Sequence, residues 1–180
     1  SSNTWAYIGT NPSSTGEATI TGSGSQWNHS DQLYVGRQGS GTLNVEAGGV
    51  VNSAGERSYI GYDVGSTGEM TVTGVGSQWG GSRGLHVGRS GIGTLNVTDG
   101  GVVNSYGGVM SYYVGSTGEA TVTGAGSQWN SSDGLSVGRY GSGTLNVEAG
   151  GVVNSAGERS YICLLYTSTS QRDGLRARKP

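Results

Sequence analysis

Four aspartates, Asp31, Asp63, Asp99 and Asp133, and three arginines, Arg37, Arg89 and Arg139, are the residues of this chain that could cleave an acidic polysaccharide. A carboxylate would act as general acid or base, and a guanidinium would stabilise the charge that develops. Such a site shows itself where one segment breaks the pattern of the chain and gathers acids and bases together. Here the arginines recur in register instead, alternating with Tyr62 and Ser116, as a solvated surface column would. The two histidines lie in non-equivalent places. Gly81 and Ser131 stand where His29 does in the sister segments, and Tyr34 and Ser136 stand where His86 does, so both read as variable surface positions. Pairs such as Gly22-Ser-Gly24 lack the helix that a phosphate-cradling loop needs. No catalytic, cofactor-binding or metal-binding residue is therefore assigned.

The elements that would have to position any chemistry are repeats. The phrase Gly-x-Φ-x-(Val/Ile), with Φ apolar, occurs six times, with central residues 18, 43, 70, 95, 120 and 145, spaced 25 or 27 apart. Between successive copies lie two further apolar phrases. One is Gln-Trp at Trp27, Trp79 and Trp129, alternating with Val-Val at Val51, Val103 and Val153. The other ends in Ile-Gly or Val-Gly: Ile8-Gly9, Val35-Gly36, Ile60-Gly61, Val87-Gly88, Val114-Gly115 and Val137-Gly138. Apolar and polar residues alternate within the phrases, the period-two signature of a strand with one buried face. Helix is excluded at this glycine density, since each internal Gly costs ~1 kcal/mol. Three strands in each unit of about 25 residues predict a three-sided solenoid of about six rungs, a parallel β-helix, right-handed by the general crossover rule. Alternate units are more alike than neighbours, so the repeat is a pair of rungs every 50–52 residues. A two-residue length change between Asn104 and Val114 marks a loop.

Stacking fixes which positions face inward. These are Ala18, Ile20, Leu43, Val45, Met70, Val72, Leu95, Val97, Ala120, Val122, Leu145 and Val147, with the tryptophans filling corners. Outward, Glu17, Glu69 and Glu119 alternate with Thr42, Thr94 and Thr144, which keeps like charges off adjacent rungs. Asn28, Asn52, Asn104, Asn130 and Asn154 form a column broken by Gly80, expected to hydrogen-bond from rung to rung. The threonine pairs Thr19/Thr21, Thr71/Thr73 and Thr121/Thr123 do not make an ice-binding ladder, because Glu46 and Glu148 interrupt the lattice.

Composition agrees. Glycine contributes 37 of 180 residues without a period of three, and the scheduled Val, Leu and Trp oppose disorder. Residues 1–162 carry 6 basic and 11 acidic side chains, no lysine and no cysteine, which disfavours nucleic acid and excludes a disulfide framework. The chain opens in mid-pattern and is read as a fragment. Residues 143–162 copy 41–60 without a change, and Cys163 then replaces the expected glycine. Residues 163–180 resemble the translated read-through of a sequencing adapter and are read as a non-native, disordered tail.

Thr73-Gly-Val-Gly-Ser-Gln-Trp79, Leu85-His-Val-Gly88, Gly93-Thr-Leu-Asn-Val97 and Gly100-Gly-Val102, with their copies, cover most of residues 5–162. They resemble the Gly-rich repeats of passenger regions in bacterial autotransporters and large surface adhesins. The resemblance implies a secreted β-solenoid on the surface of a Gram-negative cell, with an outer-membrane barrel elsewhere in the full-length protein. It lends no catalytic residue and no cofactor. The function expected is structural or adhesive, through contacts with host-surface or matrix glycans and proteins or by self-association. A β-helical polysaccharide lyase or hydrolase is the alternative.

Overall fold

The computed structural model describes residues 5–81, 83–157 and 160–162. The tail read as adapter-derived, 163–180, lies outside the described residues. The described chain is all-β, and its strands fall into three parallel sheets. The first sheet holds β1 (Ala6–Ile8), β4 (Leu33–Val35), β7 (Arg57–Ile60), β10 (Gly84–Val87), β13 (Gly107–Met110), β16 (Leu135–Val137) and β19 (Tyr161–Ile162). The second holds β2 (Thr15–Thr21), β5 (Ser40–Glu46), β8 (Thr67–Thr73), β11 (Ile92–Thr98), β14 (Thr117–Thr123) and β17 (Ser142–Glu148). The third holds β3 (Gln26–His29), β6 (Val50–Ser53), β9 (Gln78–Gly81), β12 (Val102–Ser105), β15 (Gln128–Ser131) and β18 (Val152–Ser155). The chain visits the sheets in strict rotation, so each rung is one strand from each, and the three-sided solenoid of about six rungs is borne out.

The Gly-x-Φ-x-Val phrase is the second sheet. Its columns run Ala18–Leu43–Met70–Leu95–Ala120–Leu145 and Ile20–Val45–Val72–Val97–Val122–Val147, as the alternation predicts. Leu43, Val45, Met70, Val72, Leu95 and Val97 are fully buried. A short strand cannot cover its own apolar face, so each rung relies on its neighbours for hydrogen bonds and core alike. At the outermost described rung that cover thins, and Val147 is 47% exposed. On the third sheet Trp27, Val51, Trp79, Val103, Trp129 and Val153 form one inward column. Large and small side chains alternate along the axis, and both Trp79 and Trp129 are fully buried between valines.

The corner between first and second sheets explains two repeated glycines. Gly88 takes φ +72°, and a Cβ there would lie 2.1 Å from the Thr117 carbonyl oxygen. Gly93, which opens the next phrase, would place a Cβ 2.2 Å from the Gly88 amide nitrogen. Backbone meets backbone at this corner, and the one described non-glycine residue in the column, Ser111, also takes a positive φ, with its hydroxyl donating to the Ser142 carbonyl.

One strand assignment changes. Val114 does not end a strand of the first sheet; Met110 does, pairing with Val87, and Val114 sits 86% exposed in a turn with its counterpart Val64. Gly107-Gly-Val-Met110 lacks the Ile-Gly or Val-Gly ending of the other copies, and that ending recurs instead four residues later at Val114-Gly115. The two-residue deletion does fall in a loop, since Tyr106 alone joins β12 to β13 where Ala54–Glu56 join β6 to β7.

Candidate binding face

The outward side of the first sheet carries the polar and aromatic side chains with most chemistry. The residue before each Ile-Gly or Val-Gly ending points away from the core, and these residues stack in register as Tyr7, Tyr34, Tyr59, His86, Val109 and Ser136. Ring centroids are 5.1 Å apart for Tyr7–Tyr34, 5.0 Å for Tyr34–Tyr59 and 5.3 Å for Tyr59–His86. A parallel ladder holds strands at about this separation, so the sheet itself sets the rings at stacking distance.

Immediately after the positive-φ turn residue, which is Gly36, Gly61, Gly88, Ser111 or Gly138, comes a second column, Arg37, Tyr62, Arg89, Tyr112 and Arg139, tied rung to rung through backbone bonds such as Arg89 N–H to the Gly61 carbonyl at 2.9 Å. The arginines therefore alternate with Tyr62 and Tyr112, not with Ser116, which is buried at the next turn. The two-residue deletion shifts this rung and hides the equivalence in the sequence. Each guanidinium lies over tyrosine rings: Arg37 at 5.0 Å from Tyr7, Arg89 at 4.3 Å from Tyr62 and 5.1 Å from Tyr113, Arg139 at 4.9 Å from Tyr112. Cation–π attraction supports this packing, and it orders side chains that would otherwise be mobile.

His86 is no surface residue. It is 6% exposed, wedged between Tyr59 and Tyr112, and Arg57, Arg89 and Arg139 surround it. Burial first and those three positive charges second hold its pKa down to about 3, so the imidazole is neutral at physiological pH. His29 is also buried, because it sits at an inward column position of the third sheet with Ser53. Its Nδ1 lies 2.9 Å from the Asp31 carbonyl oxygen, and burial lowers its pKa against the opposing pull of Asp31. Burial likewise raises the Tyr34 and Tyr59 phenols, so both remain protonated.

The four aspartates are not brought together. Asp31 accepts hydrogen bonds from the Trp5 indole and from the Gln32 amide at the first rungs. Asp63 lies in a turn whose carbonyl accepts from Ser66, and Asp99 occupies a positive-φ turn between the second and third sheets. Asp133 lines, with Glu56, a groove over β10 and β13. Among the described residues no three His, Cys, Asp or Glu side chains converge on a point that could hold a metal ion.

Charge is sorted by face. All five arginines among the described residues, Arg37, Arg57, Arg83, Arg89 and Arg139, lie on the first sheet or its flanking turns. The second sheet carries Glu17, Glu46, Glu69, Glu119 and Glu148 and no described cation. The tyrosine column went unread in the sequence although the signal was present: Tyr7-Ile-Gly9, Tyr34-Val-Gly36 and Tyr59-Ile-Gly61 place the ring one residue before the ending each time.

No protein-family profile matches the chain, and no solved structure does. The chain is similar to the adhesin BmaC autotransporter of Brucella suis biovar 1 (strain 1330), with 35% identity over 89 residues. That match covers 48% of this chain and 2% of the relative, so the chain spans a small fraction of the relative's length. The resemblance read from the repeated phrases is borne out: the chain is similar in sequence to an autotransporter adhesin, and its β-solenoid is consistent with an autotransporter passenger region.

Proposed function

We propose that this chain is an adhesive segment of an extracellular, passenger-type surface protein of a Gram-negative cell, displaying one repeated face to glycans or matrix proteins. The observation that carries the reading is the tyrosine–arginine face, which repeats along the first sheet while the other two sheets lack it. Similarity to an adhesin gives the same direction. Each rung offers a weak polar or stacking contact, and a rigid rod sums such contacts into avidity that no single rung supplies. The test is adhesion of beads coated with the 180-residue chain to immobilised glycans and matrix proteins. Retention above that of beads coated with an unrelated acidic protein is expected, and its absence on every surface sinks the adhesive reading.

The second reading, a polysaccharide lyase or hydrolase, draws on Asp133 lining the same groove as Arg89 and Arg139. Product release from oligogalacturonate, abolished by Asp133→Asn, would establish it in place of adhesion.

A further inference from the structure

The outward column of the first sheet changes character along its length. Tyr7, Tyr34, Tyr59 and His86 fill it with rings, and then Val109 and Ser136 leave it short. The glycines Gly84, Gly107 and Gly134 add no side chain, and the result is a groove of about 550 Å³ with Tyr106 in its lining. That volume lies in the range of small-molecule sites and would take one or two sugar rings. Four guanidiniums, from Arg57, Arg83, Arg89 and Arg139, line it against two carboxylates, Glu56 and Asp133. Glu56 is 3.5 Å from Arg83 in an exposed pair, so the surplus positive charge sits with the other three. His86 also lines the groove, and its buried Nδ1 has no hydrogen-bond partner among the described residues.

We propose that this groove binds a carboxylated sugar unit of an acidic glycan, with Arg57, Arg89 and Arg139 recognising the carboxylate and the tyrosine rings the apolar face of the sugar. The proposal deepens the adhesive reading and rests on it. Three features favour this ligand. Arg89 and Arg139 lie over tyrosine rings, which uses the guanidinium face and leaves the in-plane N–H fork to match a carboxylate bidentately, while Arg57, hydrogen-bonded to Tyr59, adds a third charge beside them. A sugar ring presents C–H groups to Tyr106 and Tyr113, which line the groove and are 56% and 45% exposed. The buried imidazole beneath the groove is neutral, so the charge that faces the ligand is that of the arginines and the two carboxylates. An acidic ligand also explains why arginines converge on a chain whose first 162 residues are otherwise acidic: the like charges repel in the free protein and are relieved by an anion.

The experiment is calorimetric titration of the 180-residue chain with tetragalacturonate and with its methyl ester, which keeps ring and length and removes the charge. Binding of the acid is expected, weakened at least about tenfold by esterification or by Arg139→Gln, the loss of one charge-assisted contact. Val109→Tyr is the blocking variant: it continues the ring column into the groove, should melt no lower than the parent, and should abolish binding. Glu119→Gln, on the second sheet, should bind as the parent does. Equal binding of acid and ester, or undiminished binding by Val109→Tyr, overturns the proposal. Low-salt self-association that Glu119→Gln abolishes, without tetragalacturonate binding, also overturns it and makes a second copy's glutamate face the occupant. Beads that still adhere to a glycan or matrix surface while tetragalacturonate fails to bind would remove this groove assignment and leave the adhesive reading intact.

Discussion

At the scale of single residues, His86 shows how a position can be variable in sequence and still buried. Tyr34 and Ser136 replace it in sister rungs because the column faces outward, yet neighbouring rings and arginines cover it. Its folded pKa of about 3 lies below the ordinary 6.5, so between those values the unfolded chain binds a proton that the folded one refuses. The stability from keeping it neutral is full above 6.5 and is lost as pH falls toward 3; buried His29 acts in the same direction. His86→Tyr should therefore show a smaller drop in Tm than the parent between about pH 7 and about pH 4. Parallel drops in the two proteins would mean that His86 is solvated. The corner glycine Gly88 supplies a second residue-scale prediction. Gly88→Ala should destabilise the fold by about 3 kcal/mol or more, since positive φ and backbone overlap act together. A denaturation midpoint within error of the parent would contradict the corner geometry.

At the scale of elements, the ladders carry the argument. Asn52 donates to Asn28 at 2.8 Å, Asn130 to Asn104 at 3.0 Å and Asn154 to Asn130 at 2.8 Å, so the asparagine column is the rung-to-rung network that its spacing predicts. Gly80 interrupts it between Asn52 and Asn104. A Cβ there would meet only the Asn52 Oδ1, at 3.6 Å, and the backbone is not in the positive-φ region. Gly80→Asn should complete the ladder and raise stability by about 1 kcal/mol, from the added hydrogen bonds and the lost freedom of glycine when unfolded. A lowered melting temperature would show that the gap is needed. The Glu/Thr alternation gains a reason beyond repulsion, since Asn44 donates to Glu17 and Asn96 to Glu69, each at 3.2 Å. The tryptophan column is the element most sensitive to truncation: Trp79→Ala should cost about 3–5 kcal/mol, read as a shift in denaturation midpoint, because two flanking valines cannot close the cavity.

At the scale of the whole molecule, stability should grade along the axis rather than hold at one value. Interior rungs share both faces with neighbours, and among the described residues β2 and β3 at one end and β17 and β18 at the other pair on one side only. Hydrogen exchange should protect the amides of the interior strands β8 and β11 most and those of the edge strands β2 and β17 least, with the exposed Val147 reporting one thin end. Uniform protection across the second sheet would point to association that covers the β2 and β17 edges. The sequence by itself determined the rotation of three strands, the inward columns of the second sheet and the asparagine ladder, because period-two alternation and fixed spacing translate directly into register. Tertiary structure alone decided the face that matters for binding. The tyrosines and arginines lie in different turns and strands, and their sequence separation of about 25 residues becomes one strand spacing only when rungs stack. The deletion beside Tyr106 hid the fifth rung from pattern reading, and with it the place where the ring column ends and a groove begins.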